Sequence, residues 1–245
     1  MTVVCAAIIP AAPILIPQLG GAQHSASEVL DAALTTLRGL LREQPDEIVV
    51  VAEDARAGEY DQTSRWALSR FGGAPDLLPE GATPQEGELR QAPVLPHALA
   101  IAAALLHQAG WRGRTRFQAL DPDLPGAQAA AFGGQVQGGR ASTGLLLLGN
   151  GSACCTPQSP GAFREDAAAC NAALLDMIRD CDEQAIQTLT AAACREQRSD
   201  IRVPLQVLAG AVEPASARTE ILYAEEFAGV FYLCALMRAL SGSTS

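Results

Sequence analysis

Three stretches of this chain are apolar almost without interruption, and each stops where a strand cannot easily continue. TVVCAAII (residues 2–9) ends at Pro10, EIVVVA (47–52) at Glu53-Asp54, and TGLLLLGN (143–150) runs into GSACCTPQSPG. A strand covered on one face alternates polar and apolar residues; a continuous run belongs to one covered on both, as in a parallel sheet between helix layers. Between and beyond these runs the spacing becomes helical. Ser27 to Arg42 places Val29, Leu30, Ala33, Leu34, Leu37, Leu40 and Leu41 on one face, with Ser27 as N-cap. Residues 97–109 form an apolar helix ended by Gly110, and two more helices are expected over 164–180 and 182–197.

The weaker segments complete the pattern. FQALD (117–121) reads as a strand, Gly133 to Gly139 as a loop, 203–209 as a last strand and 226–240 as an apolar segment of helix length. Gly72 to Pro96, rich in Pro, Gly and Glu, is the longest irregular stretch. Strand, loop and helix in repeated succession imply an α/β fold: three layers, with a mostly parallel or mixed central sheet and helices on both faces, in one domain over 1–245.

Composition closes off several functions. Apolar residues make up 49% and charged residues 18%, the balance of a packed chain rather than a disordered one. All 17 cationic side chains are arginine, so Schiff-base, Walker-A and general-base lysines are excluded. Arginine without lysine, beside abundant Ala and Gly, reads as the mark of a GC-rich, actinobacterium-like coding sequence. A net charge of −10 repels phosphate backbones, so no nucleic-acid partner is expected. The apolar N-terminus has no basic start and meets Pro10, Pro13 and Pro17, unlike a signal peptide. No other apolar run approaches the ~20 residues that span a bilayer, so the expectation is a cytoplasmic chain without a membrane partner. Seven dispersed cysteines without a CxxC suit neither a disulfide framework nor a zinc ribbon.

In open α/β sheets, ligands bind beyond the carboxyl ends of the strands. The loops there are Pro10–Gly21, Glu53–Tyr60 and Asn150–Gly161. Glu53-Asp54 offers paired carboxylates for acid/base work, against the plainer reading of a turn paired with Arg56. Asp121 and Asp123 (LDPDLPG) look similar, but prolines follow both, which favours a plain turn. Cys154-Cys155 offers a thiolate near a helix start, against two small packed residues. Ser152 lacks the Gly-x-Ser-x-Gly elbow of a hydrolase nucleophile.

Taken in order, IPAAPILIP (9–17), EIVVVAEDA (47–55) and LLLLGNGSACC (145–155), then Ser159-Pro160-Gly161 and the helix with Asp166 and Asn171, resemble the LigB-like class III extradiol ring-cleavage dioxygenases and their Memo-type relatives. The resemblance implies ferrous iron held by two imidazoles and a carboxylate, with open positions for catechol and dioxygen. It also implies a strand-end pocket built from Pro10, Ala11, Ala12, Glu53, Asp54, Asn150, Ser152 and Ala153, and a homodimer or pairing with a small helical subunit. The departures are specific. The first iron-ligand histidine falls on Ala11, the second at or beside Asp54, and the acid/base histidine on Ala153. No cofactor is therefore expected, and no catalytic set is intact.

Three expectations follow. The first is a small-molecule or partner-binding protein that keeps the frame and has lost the iron. The second is an enzyme using Glu53, Asp54, Asn150 and Cys154 for other chemistry. The third is a surviving dioxygenase whose ligands include His24 and one of Glu213, Glu220, Glu225 and Glu226. His97 and His107, ten residues apart on one helix, lie about 15 Å apart and cannot share a metal ion.

Overall fold

A computed structural model describes residues 3–16, 24–66, 93–213 and 217–239. Most of the irregular Gly72–Pro96 stretch, Pro17 and the terminal SGSTS lie outside them, as does the side chain of His24. In chain order the elements are β1 (Val3–Ile9), α1 (His24–Arg42), β2 (Glu47–Glu53), β3 (Gly58–Asp61), α2 (His97–Gln108), β4 (Arg114–Leu120), α3 (Gly126–Gln137) and β5 (Thr143–Leu148). They continue with α4 (Ala167–Arg179), α5 (Glu183–Thr188), α6 (Ala191–Gln197), α7 (Arg202–Ala211), β6 (Ala217–Phe227) and β7 (Val230–Ala239).

The seven strands form one mixed sheet in the order β3-β4-β2-β5-β1-β7-β6. The four central strands are parallel; β3 joins one side antiparallel, and the β6–β7 hairpin joins the other through β1. The three uninterrupted runs are the three innermost parallel strands, and the reason is burial on both faces. Cys5, Ala7 and Ile9 pack with α1 and α2 through Val29, Leu37, Leu99 and Ile101. Ala6, Ile8, Val49, Val51, Leu145 and Leu147 pack with α3, α4 and α7 through Val136, Leu174, Val203 and Val207. This is the three-layer α/β fold.

Four segments differ from the sequence reading. The expected strand 203–209 is helix α7: Pro204 lies in its first turn, where its missing N–H costs nothing. The expected loop 133–139 is mostly helix α3. Its glycine is there for contact, because a Cβ on Gly133 would collide with the Val207 carbonyl and one on Gly210 with that of Ala130. The helix expected over 182–197 breaks in two at Leu189. The segment 226–240 is strand β7, closed onto β6 by Ala228-Gly229, whose φ values of 53° and 83° suit a two-residue hairpin turn. FAGVFYLCALM is thus core: it is apolar throughout because β7 lies between β1 and β6 with helices on both faces.

Candidate functional site

Beyond the carboxyl ends of the central strands, the chain sets two half-buried carboxyls, the charge of one acting on the other, and only one was visible in the sequence. Glu53 closes β2. Its Oε1 accepts the Val203 N–H (2.8 Å), capping α7, whose own N-cap residue, Ile201, has no side-chain acceptor. Burial pushes the Glu53 carboxyl up to about 7; the Val203 N–H and Arg202 pull the other way, and the charges of Asp200 and Asp123 add to the rise. Asp200 sits two residues before α7 and receives Asn150, which follows β5. The Asn150 N–H reaches Asp200 Oδ1 at 2.6 Å and its Nδ2 reaches the same carboxyl at 3.2 and 3.4 Å. Burial pushes Asp200 up to about 6 despite these bonds.

Two further groups complete this corner. Arg202 is buried, and its guanidinium donates to the carbonyls of Pro122 (2.5 Å) and Leu124 (3.1 Å) and to Gln206 Oε1 (2.8 Å). It thereby pins the loop after β4 to α7. Asn150 Oδ1 is buried and has no hydrogen-bond partner among the described residues. A buried carbonyl oxygen is usually paired, so this one is an acceptor in want of a donor.

The other residues singled out from the sequence go elsewhere. Asp54 accepts the Arg56 N–H (2.8 Å) and Nε (3.3 Å), the arginine-paired turn of the plainer reading. Asp121 accepts the Asp123 N–H (2.7 Å), and Asp123 pairs with Arg195 at the surface. Ser152 is locked in a buried network. Its N–H donates to Asn171 Oδ1 (2.9 Å), its Oγ donates to Gln197 Oε1 (2.7 Å), and that Oγ accepts the Cys154 N–H (3.1 Å). Ser152→Ala is expected to cost about 2 kcal/mol in urea unfolding, because Gln197 Oε1 and the Cys154 N–H lose the Ser152 Oγ they bond.

Cys154 is buried with Gly161 against its sulfur, and its thiol points to the Glu196 carbonyl (3.7 Å). Asn150 therefore bonds Asp200, whose charge acts on Glu53, whereas Asp54 and Cys154 bond elsewhere. The four do not converge as an enzyme reading of that set requires. Pro10 and Ala12 are buried, Ala11 and Ala153 are half-buried, and both of the latter pack against the core side that holds α1 and α2.

Of the glutamates offered as a carboxylate ligand, Glu220, Glu225 and Glu226 lie on the edge strand β6 and Glu213 follows α7. Glu220 pairs with Arg238 (2.9 Å), Glu226 accepts the Gly229 N–H (2.5 Å), and Glu213 and Glu225 are exposed. His107 stacks edge-on against Trp66 at the end of α2, and His97 opens the same helix. Among the described residues, no three His, Cys, Asp or Glu side chains group as metal ligands. No helix among them is long and apolar enough to cross a membrane.

Asp200 and Arg202 were missed because neither sits after an apolar strand. The SDIR run preceding VPLQVLA was the available signal, once that segment is read as a helix with acid at its start. No family model matches the chain, and no curated protein matches it. Among solved structures it is similar to the crystal structure of an uncharacterized protein from Escherichia coli K12. The two share 16% identity over 96% of this chain and 100% of that one, with a TM-score of 0.53, a likeness of fold.

Proposed function

We propose that this chain is a divergent LigB-like protein that binds a small molecule at its strand ends and does not cleave aromatic rings. The observation that carries the reading is the donor set at the three aligned positions. Ala11 and Ala153 offer methyl groups, and Asp54 is closed on Arg56. Ferrous iron in a ring-cleaving site takes two imidazoles and a carboxylate, so these residues do not fit it. The corner beside them supports binding: the unpartnered Asn150 Oδ1, with Glu53 and Asp200 close by, suits a ligand that donates hydrogen bonds.

The test is metal analysis of protein prepared without oxygen and incubated with ferrous iron, followed by oxygen uptake with catechol. Substoichiometric iron and no uptake are expected. Stoichiometric iron with ring cleavage overturns the reading. A second reading, an enzyme of other chemistry, rests on Glu53 alone. A carboxyl raised to about 7 has the proton affinity a general base needs near neutrality. It predicts that a ligand bound at the strand ends is turned over by the native protein and not by Glu53→Gln.

A further inference from the structure

The segment 182–197 makes two short helices because it holds two caps. Asp182 Oδ1 accepts the Ala185 N–H (2.9 Å), and Thr190 Oγ1 accepts the Ala193 N–H (3.2 Å). The break between them sets α6 across from α4, where Cys170, Leu174 and Met177 share one helix face. A cavity of about 260 Å³ lies between the two helices, with Leu189 and Ile201 also in its wall. It shares Ser152 with the strand-end pocket expected from the sequence, but not Glu53, Asp54 or Asn150.

Three buried polar residues, Ser152, Asn171 and Gln197, line the inner part of this cavity and bond to one another. Gln197 Nε2 also donates to Asp166 Oδ1 (2.9 Å), and Asn171 Nδ2 to Cys155 Sγ (3.4 Å). Most of their bonding capacity is thus used within the protein. At the mouth, Asp166 and Glu196 both pair with Arg164, at 2.9 and 3.2 Å. Apart from Gly151 and Ser199, whose Oγ donates to the Asn150 carbonyl (2.8 Å), the rest of the wall is aliphatic carbon and sulfur. Burial raises the thiols of Cys170 and Cys194, the latter to about 11, so both stay uncharged at neutral pH and serve as soft apolar surface.

We propose that this cavity binds a small, uncharged molecule with a single aromatic ring. An apolar cavity of about 150 Å³ holds benzene, so this one has room for a ring with a short substituent. Sulfur from Cys170, Met177 and Cys194 lines it, and thioether and thiol sulfur pack favourably on ring edges. A charged ligand would lose its hydration against the apolar wall, and an anion would also meet the excess negative charge at the mouth, where one Arg164 is shared by two carboxylates. The site is separate from the strand-end corner and stands whether or not the reading of that corner survives.

The chain has three methionines, Met1, Met177 and Met237, of which Met177 lines the cavity and Met237 is buried in β7 away from its wall. In full-length protein carrying ¹³C-methyl methionine, benzyl alcohol is expected to shift the Met177 methyl resonance saturably, with a Kd of about 1 mM or lower, and to leave Met237 in place. Benzoate and cyclohexanol are expected to bind at least about tenfold more weakly, a gap of about 1.4 kcal/mol.

Ala173→Leu with Ala193→Leu fills the cavity from two exposed helical positions, where leucine is nearly as good a helix former as alanine. This variant is expected to keep the Met237 resonance, the sign of an intact sheet, and to lose the Met177 response. A Met177 methyl unmoved by benzyl alcohol overturns the proposal. So does a response that survives the filled variant, or benzoate or cyclohexanol binding as tightly as benzyl alcohol.

Discussion

Glu53→Gln is expected to make the fold more stable by about 3 kcal/mol at pH 8 and by less than about 1 kcal/mol at pH 5. Gln keeps an oxygen for the Val203 N–H and removes only the charge. The size follows from the carboxyl's rise from 4.5 in an ordinary setting to about 7 in the fold. A carboxyl raised on folding holds its proton more tightly in the folded state than in the unfolded one. Its contribution is therefore whole below about 4.5 and is lost as pH rises through about 7. Asp200, raised from 3.8 to about 6, adds a loss of the same sign over a slightly lower range.

The native protein should thus weaken from pH 5 to about pH 7 and level off above it, and the variant should weaken less. Urea midpoints at four pH values across that range check it. Identical pH slopes in the two proteins would show that Glu53 is not desolvated in the way described. A carboxylate that lowers stability at neutral pH is the kind of residue retained for binding or chemistry, which is why it anchors the strand-end reading.

Gly210→Ala and Gly133→Ala should each destabilise by about 3 kcal/mol. Helix propensity alone argues the opposite, since alanine in a helix interior is favoured over glycine by about 1 kcal/mol. Packing wins here because α3 and α7 cross backbone to backbone. A Cβ at Gly133 meets the Val207 carbonyl, and one at Gly210 meets that of Ala130, neither of which is a flexible side-chain tip. The helices must move apart, and Val136 and Val207 lose contact in the core beneath. Because both substitutions open one interface, the double variant should lose less than the sum of the two. A neutral or stabilising effect in thermal unfolding would refute the close crossing.

The central sheet was readable from residue order because a strand buried on both faces needs nothing but apolar residues. β1, β2 and β5 announce themselves in TVVCAAII, EIVVVA and TGLLLLGN. The helices with clean periodicity, α1 and α2, were equally plain, although α1 starts at His24 and Ser27, expected as its N-cap, lies inside it. Short apolar segments without alternation carry no period to read. VPLQVLA became a helix because α3 offers it a glycine-lined groove, and FAGVFYLCALM became a strand because β1 has a free edge and Ala228-Gly229 can turn back onto β6.

The site divides along the same line. The loops and their missing histidines are local facts, legible at Ala11, Asp54 and Ala153. That Glu53 feels the charge of a second carboxyl is not a local fact. Asp200 reaches Asn150 across 50 residues of chain only because α7 docks with its N-terminus on Glu53. Proton affinity in a buried corner depends on which charges share the desolvated space, and that is set by how helices pack on a sheet rather than by the order of residues.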